Sequence, residues 1–393
     1  MPKKHPPGPG QKRERSPKPD ARKRRPPKPD LRKPRPPKPD LRGLSLDEFK
    51  SLVKKLGEPA YRAGQIADWV YTRGVSSVDE MTNLSKALRE RLAKETTLTR
   101  AEVVETHESR KDGTKKLLLK YRGGDHIEAV LLKDQDRITG CVSSQVGCKF
   151  GCSFCATGSM GFARDLTAGE IVAQVVALRE AAKPARLGNL VFMGMGEPLD
   201  NYANVMGAIR IINAEWGIGI GARRITVSTA GHVSGIQRLA QEGLQFQLAV
   251  SLNATRQSLR STIMPIADIY SLTQLVAAIE RYSETTGRRV TLEHVLLRDI
   301  NDSPEMADEL AEIARKLLCK VNLICYNETT DSVYAPSTDS AVEEFFSRVS
   351  KRCPTVVRRI SRGDDIAAGC GQLCVPLERT RRRSKGRRPG GRG

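Results

Sequence analysis

Three cysteines lie close together at a spacing that is typical of metal binding. Cys148, Cys152 and Cys155 follow the pattern C-x3-C-x2-C, which on a tight loop or helical turn directs three sulfur atoms toward one point. Ordinary iron–sulfur clusters take four cysteines, and structural zinc usually combines paired C-x2-C elements with a fourth ligand. Three ligands therefore predict a metal centre with one open coordination position. A structural zinc loop and a chance grouping of reduced thiols are the alternatives, and neither explains the incomplete ligand set.

Glycines and short polar side chains follow several predicted strands downstream of these cysteines. Gly194, Gly196, Glu197 and Pro198 end the strand NLVFM, where backbone without Cβ atoms can approach an amino-acid ligand closely. The next strands, ITVST and FQLAVSL, end in Ser228 and in residues 251–253. Because the carboxyl ends of parallel strands meet at one edge of a sheet, these segments are candidates for one binding site.

Five strings together resemble one family. They are CVSSQVGCKFGCSFCATG, MGMGEP, RITVSTAG, VSLN and RGDDIAAGCGQL. The chain resembles the RlmN/Cfr family of radical S-adenosylmethionine (SAM) RNA methyltransferases from about Gly57 to Leu373, and GEP and CGQL favour its RlmN branch. The resemblance implies that the three cysteines hold a [4Fe-4S] cluster whose open iron binds SAM. It also implies contacts to SAM by these residues: Gly196, Glu197, Ser228, Ser251, Leu252, Asn253 and Asn327. Prolines usually flank this asparagine in the family, whereas here it lies in ICYNE without them.

Three further residues receive a catalytic role only from this resemblance. By spacing alone, Cys141 and Cys370 are small buried hydrophobes and Glu128 is a surface carboxylate on a strand. The resemblance implies that Cys370 accepts a methyl group from one SAM and, after radical activation with a second SAM, joins it to an adenine. Cys141 then releases the RNA by forming a disulfide with Cys370, Glu128 accepts the C2 proton, and an external reductant restores both thiols. Gly369 stands where the family usually has alanine, which could loosen the loop of Cys370.

The implied reaction is methylation of C2 of an adenine in 23S rRNA, and of an adenine in tRNA. Two alternatives stay open at this point. A Cfr-like enzyme, with the same cysteines, would methylate C8 of the adenine. A non-catalytic, metal-stabilised RNA-binding protein would account for the basic charge and the cysteines, but not for the SAM motifs at the strand ends.

The net charge of +21 lies almost entirely in the two ends of the chain. Residues 1–42 contain sixteen basic and four acidic residues, and residues 379–393 contain eight basic and no acidic residues. Together they account for twenty of the net charges, so the part between them is close to neutral. The ends either attract RNA electrostatically or only raise solubility.

The pattern of the chain predicts five segments. A proline-rich disordered arm spans residues 1–42, a helical domain that positions RNA spans 43–100, and a short β linker spans 101–136. Alternating strands and helices over 137–378 predict an α/β fold, a partial (βα)6 radical SAM barrel. A basic disordered tail spans 379–393.

Location and partners follow from composition and from the resemblance. No apolar window is long enough to cross a membrane, and the N-terminus has no apolar signal segment. An odd number of cysteines with a tight triplet suits a reducing compartment. We therefore expect a cytoplasmic monomer without membrane association. The expected partners are the RNA substrate and an electron donor such as flavodoxin or ferredoxin.

Overall fold

The folded domain begins earlier than the sequence predicted. A computed structural model describes residues 38–329, 332–353 and 355–375. The predicted tail over 379–393 and residues 1–37 of the predicted arm lie outside the described residues. Leu41 and Arg42, however, are buried in a short 3-10 helix, Leu41–Gly43. The boundary at residue 43 was therefore wrong, because an apolar Leu41 side chain anchors the preceding residues.

Three helices form the N-terminal part, which agrees with the predicted helical segment. They are α1 (Leu46–Lys55), α2 (Arg62–Ala67, followed by a wider helical turn Asp68–Thr72) and α3 (Lys86–Glu95). Ser45 and Glu48 form a capping box that begins α1. Tyr71 is fully buried, and its hydroxyl donates to the Leu44 carbonyl at 2.5 Å. The aromatic side chain thus joins the wider turn to the segment that precedes α1.

A ten-stranded sheet forms the body of the described chain, and a separate hairpin lies between β4 and β7. In chain order the strands are β1 (Glu102–Glu108), β2 (Lys115–Lys120), β3 (His126–Asp134), β4 (Arg137–Cys141), β5 (Gln145–Gly147), β6 (Phe162–Asp165), β7 (Asn189–Phe192), β8 (Ile225–Thr229), β9 (Gln247–Ser251), β10 (Val290–Leu296), β11 (Cys319–Cys325) and β12 (Val356–Arg359). The sheet order is β1-β2-β3-β4-β7-β8-β9-β10-β11-β12, and β5 pairs with β6. Strands β1 to β4 are antiparallel, and β4 to β12 run parallel.

This sheet changes two details of the predicted organisation. Residues 101–136 are not a linker, because β1, β2 and β3 extend the main sheet from its β4 edge. The parallel part contains the six predicted βα units, from β4 to α11, and ends in a seventh strand, β12, that was not predicted. Its four residues, VVRR, carry no alternation of apolar and polar side chains that could reveal a strand.

Helices connect the parallel strands. They are α4 (Ala156–Ser159), α5 (Ala168–Ala182), α6 (Tyr202–Asn213), α7 (Val233–Leu239), α8 (Gln257–Ile263), α9 (Leu272–Thr286), α10 (Pro304–Arg315) and α11 (Asp339–Ser350). A capping box of Thr167 and Glu170 begins α5, and Ser303 caps α10, whose first residue is Pro304. The short helix α8 and helix α11 were not predicted.

The curvature of the sheet encloses a polar interior. Val130 of β3 and Arg359 of β12 line one cavity, although six strands lie between β3 and β12 in the sheet order. The sheet therefore curls into the open barrel that the sequence predicted. Within the described part of the chain, none of the helices has the length and apolar character that crossing a membrane requires.

Candidate active site

The loop with the three cysteines is fixed by backbone contacts on both sides. Gly147 precedes it with φ of +78°, and a Cβ there would overlap the Gly161 carbonyl oxygen, so only glycine fits. The Cys148 N–H donates to the same carbonyl at 2.9 Å. The Ser153 N–H donates to the Ile263 carbonyl at 3.1 Å, which joins the middle of the loop to the end of α8.

All three cysteines line one cavity, which we name the motif cavity. Burial raises the pKa of Cys148 to about 12 and the pKa values of Cys152 and Cys155 above their ordinary range, and the neighbouring thiols raise those of Cys148 and Cys152 further. Among the described residues, no three His, Cys, Asp or Glu side chains are grouped closely enough to hold a single metal ion.

This donor set fits an iron–sulfur cluster better than one zinc ion. Each thiolate of a cluster binds its own iron atom, so the ligands are spread around the group. Three half-buried thiols whose pKa values are raised are also stabilised as thiolates by a cationic metal group.

The strand-end residues named from the sequence lie in the same motif cavity. Its lining includes these residues: Gly194, Gly196, Glu197, Pro198, Ser228, Ser251 and Asn253. Leu252 and Asn327 are placed differently. Leu252 is fully buried, its N–H donates to the Glu293 carbonyl at 2.9 Å, and it is not part of the cavity lining. Asn327 donates from Nδ2 to the Cys370 carbonyl at 3.2 Å and thus supports the loop of Cys370.

Glu197 is a buried carboxylate that shapes the wall of the motif cavity. Its two oxygens accept from the N–H groups of Leu199 at 3.0 Å and Ala230 at 2.7 Å. Burial raises its pKa to about 7. The side chain therefore joins the segment after β7 to the end of β8, and its charge still faces the cavity.

Gln145 connects this segment to the cysteine loop. Its Oε1 accepts from the Glu197 N–H at 2.9 Å, and its Nε2 donates to Asp165 and Asp200, both at 2.8 Å. Asp200 also pairs with Lys149 of the cysteine loop at 2.7 Å. Sequence analysis missed this role, although Gln145 lies inside the string CVSSQVGC.

Arg260 is a second side chain that sequence analysis missed. It is fully buried in α8 and donates to the carbonyls of Ala230 at 2.6 Å, Leu252 at 3.1 Å and Ser251 at 3.3 Å. It therefore holds the ends of β8 and β9 together beneath the motif cavity. Its positive charge also lowers the pKa of Cys152 against the larger effect of burial.

A second cavity, which we name the inner cavity, lies inside the curled sheet. Cys141 and Cys370 both line it, and Cys370 also lines the motif cavity. Arg359 and Glu293 line both cavities as well. Burial, and next the neighbouring Cys370, raise the pKa of Cys141 to about 12, whereas Arg359 opposes this rise. The structure thus brings together the two thiols and adds a cation that no sequence motif indicated.

All nine cysteines are free, so the disulfide expected between Cys141 and Cys370 is not present.

The packing around Gly369, next to Cys370, explains why this position is a glycine. A Cβ at this position would lie 2.7 Å from Asn327 Nδ2 and 2.8 Å from Gln372 Oε1. The glycine makes room for two side chains that support the loop, whereas the sequence suggested that it loosens the loop.

Glu128 is buried, so the interpretation as a surface carboxylate was wrong. Its Oε1 pairs with Lys116 Nζ at 3.1 Å, and its Oε2 accepts from the Cys374 N–H at 2.8 Å. Burial raises its pKa, and Lys116 opposes the rise. The carboxylate thus contacts the loop that carries Cys370, four residues after the thiol.

A fold of this topology, with three loop cysteines facing glycine-rich strand ends, defines a radical SAM enzyme, and comparisons with known proteins agree. The Radical SAM superfamily model matches residues 142–312. The model of the ribosomal RNA large subunit methyltransferase N-terminal domain matches residues 39–98. The chain belongs to the RlmN family of radical SAM RNA methyltransferases.

Individual relatives show the same family. The chain is 46% identical to the dual-specificity RNA methyltransferase RlmN of Anaeromyxobacter dehalogenans, over 85% of this chain and 91% of the relative. It is 43% identical to a probable RlmN of Thermotoga maritima, over 87% of this chain and 98% of the relative. The crystal structure of a radical SAM methyltransferase from Sphaerobacter thermophilus matches with a TM-score of 0.83 and 46% identity, over 85% of this chain and 99% of that chain.

Proposed function

We propose that the chain methylates C2 of an adenine in 23S rRNA, and an adenine of tRNA, through a methyl group carried on Cys370. The observation that carries the proposal is the position of Cys370, which lines both the cavity of the three cysteines and the cavity of Cys141. The match to a ribosomal RNA methyltransferase domain supports the first substrate. The dual specificity in the name of the Anaeromyxobacter relative supports a second RNA.

The residues of the motif cavity fit a [4Fe-4S] cluster and SAM. Cys148, Cys152 and Cys155 would hold the cluster, and the strand ends at Gly196, Ser228 and Ser251 would surround SAM. When bound, the pair supplies one-electron chemistry that activates an otherwise unreactive methyl group. Asn253 would contribute mainly structure, because its Oδ1 already accepts from the Val295 N–H at 2.9 Å.

Carrying the methyl group on the protein solves a chemical difficulty. Adenine C2 is an electron-poor ring carbon without an acidic proton, so it does not attack a sulfonium methyl group. A cysteine thiolate does so readily. Cys370 is positioned for this step because it faces the motif cavity.

Two residues would complete the reaction. Cys141 lines the inner cavity together with Cys370 and would release the joined RNA by attacking the Cys370 sulfur. This attack would form a disulfide and break the bond from the Cys370 sulfur to the transferred carbon, which takes up a proton to become the methyl group. An external reductant would then restore both thiols. Glu128 would accept the C2 proton. Its bonds to Lys116 and to the loop place it beside the Cys370 segment, and the positive charge of Lys116 favours the carboxylate form that a base requires.

Several partners belong to the same proposal. Reduction of the cluster needs an external electron donor such as flavodoxin or ferredoxin, and we propose that a cytoplasmic monomer receives these electrons.

A nucleoside digest tests the reaction directly. RNA from a strain that lacks the protein, treated with reconstituted enzyme, SAM and a reductant, should give 2-methyladenosine by mass spectrometry. Accumulation of 8-methyladenosine first would instead establish the Cfr-like reaction.

A further inference from the structure

The loop that carries Cys370 is attached to the β1–β2 hairpin and to β3. The contacts are Arg110 N–H to Asp365 at 3.2 Å, Lys111 to Asp364 at 2.9 Å, Gly363 N–H to Asp112 at 2.9 Å, Lys116 to the Ala367 carbonyl at 3.1 Å, and Cys374 N–H to Glu128 at 2.8 Å. These strands precede the three-cysteine loop in the chain. The place of the Cys370 thiol therefore depends on strands outside the parallel part of the sheet.

Most of these contacts are exposed, including the hydrogen bond from Lys116 to the Ala367 carbonyl, but the ion pair of Lys116 with Glu128 is buried. Side chains of Lys111 and Asp364 are 63% and 49% exposed, whereas those of Lys116 and Glu128 are 12% and 8% exposed. An exposed ion pair contributes little to stability, whereas removal of one partner from a buried pair leaves an uncompensated charge. Lys116 is therefore the contact whose loss should change the loop most.

Lys116 also holds a strained part of the backbone. Its Nζ donates to the carbonyl of Ala367, a residue with φ of +51° in the left-handed region that favours glycine. Such a conformation persists only when surrounding contacts maintain it. Ala367 lies three residues before Cys370, so relaxation there would move the thiol.

We propose that Lys116 is a positioning residue that holds Glu128 and Ala367 together through one ammonium group and thereby fixes Cys370 relative to the carboxylate. The expected effect on catalysis rests on the proposed function, whereas the expected effect on the loop does not. Three groups act on the carboxylate: Lys116 from β2, His107 from β1 and the Cys374 N–H from the loop. Of these, Lys116 also bonds directly to the backbone before Cys370.

Hydrogen exchange of the free protein tests the attachment without RNA. In Lys116→Met, exchange over residues 363–375 should become faster by roughly tenfold or more, because both Ala367 and Glu128 lose their cationic partner. Lys116→Arg should restore most of the protection. Lys115→Met is the matched control, since Lys115 is the next residue of β2 and makes only a 3.8 Å pair with exposed Glu108. It should leave the exchange unchanged.

Kinetics then separate positioning from a general loss of structure. Lys116→Met should lower kcat for RNA methylation by roughly tenfold or more and change KM for RNA less than about twofold, with recovery in Lys116→Arg. Unchanged exchange in the loop would overturn the proposal. So would faster loop exchange with normal kcat, or faster exchange spread equally over β8 to β10. If wild-type protein methylates no RNA, the proposed function fails, but the exchange experiment still decides the attachment of the loop.

Discussion

Cys370 lines both the motif cavity and the inner cavity, whereas Cys141 is buried and lines the inner cavity. The two thiols are therefore not equivalent. Cys370 is thus open to a ligand of the motif cavity, whereas Cys141 shares only the inner cavity with Cys370. This arrangement fits one thiol that carries carbon and a second that releases the product.

The different positions of these thiols predict different failures. Cys141→Ala should join RNA to the enzyme and then stop, leaving a heavier, nuclease-sensitive band after denaturing electrophoresis. Cys370→Ala should give no such band, because it has no sulfur to carry the carbon. Normal turnover of Cys141→Ala, or a band that persists in the double variant, would contradict the assignment of carrier and releasing thiol.

Replacing a cysteine of the three-cysteine loop should remove the cluster without unfolding the chain. After anaerobic reconstitution, wild-type protein should contain about four irons and cleave SAM on reduction. Cys152→Ala should contain far less iron and should not cleave SAM. Cys319→Ala is a suitable control because Cys319 is a buried cysteine that lines neither cavity in the described structure. Tight zinc binding in place of iron would contradict the cluster.

Arg359 should influence the release step through its charge. It lowers the pKa of Cys141 against the larger effect of burial, and each unit of pKa changes the thiolate fraction about tenfold. Arg359→Met should therefore slow release and make the RNA adduct visible even with both thiols present. Arg359→Lys should restore much of the rate. An Arg359→Met enzyme that turns over normally and shows no adduct would rule out this effect.

Burial of Glu197 predicts a specific dependence of stability on pH. Its pKa is raised from 4.5 to about 7, so the folded protein holds this proton more tightly than the unfolded chain does. Its contribution to stability is complete below about pH 4.5 and is lost as pH rises to about 7. The glutamine of Glu197→Gln cannot ionise. As pH rises across this range, the unfolding free energy of the variant should therefore increase relative to that of the wild type, by up to about 3 kcal/mol.

Urea unfolding of metal-free protein at several pH values measures this difference. Glu180→Gln is the control, because Glu180 is exposed and pairs with Lys183 on the surface of α5. A constant difference between Glu197→Gln and wild type from acidic to neutral pH would show that the carboxylate does not titrate in this range.

The basic ends should strengthen RNA binding without setting specificity. The deletion should remove residues 1–37 and 379–393 and retain Leu41 and Arg42, because these two are buried. Each phosphate contact adds roughly 0.9 to the slope of log affinity against log salt, so the shortened protein should have a smaller slope. Turnover at saturating RNA should be retained. An equal slope would mean that the ends affect only solubility.

The sequence alone determined the order of the parallel strands from β4 to β11, the longer helices between them and the three-cysteine loop. Both signals are local: apolar periodicity reports which side of an element is buried, and ligand spacing reports which sulfurs share a loop. The strand-end positions of Gly196, Ser228 and Ser251 followed, because the ends of parallel strands meet at one edge.

Only the tertiary structure decided which distant residues share the site. Whether Glu128 is buried depends on the pairing of β2 with β3 and on the loop that carries Cys370, which lies more than two hundred residues later in the chain. Likewise, Arg359 reaches the thiols because β12 adds to β11 and the sheet curls, although VVRR carries no strand pattern. Such contacts depend on sheet order and curvature, and these arise from the packing of the whole chain.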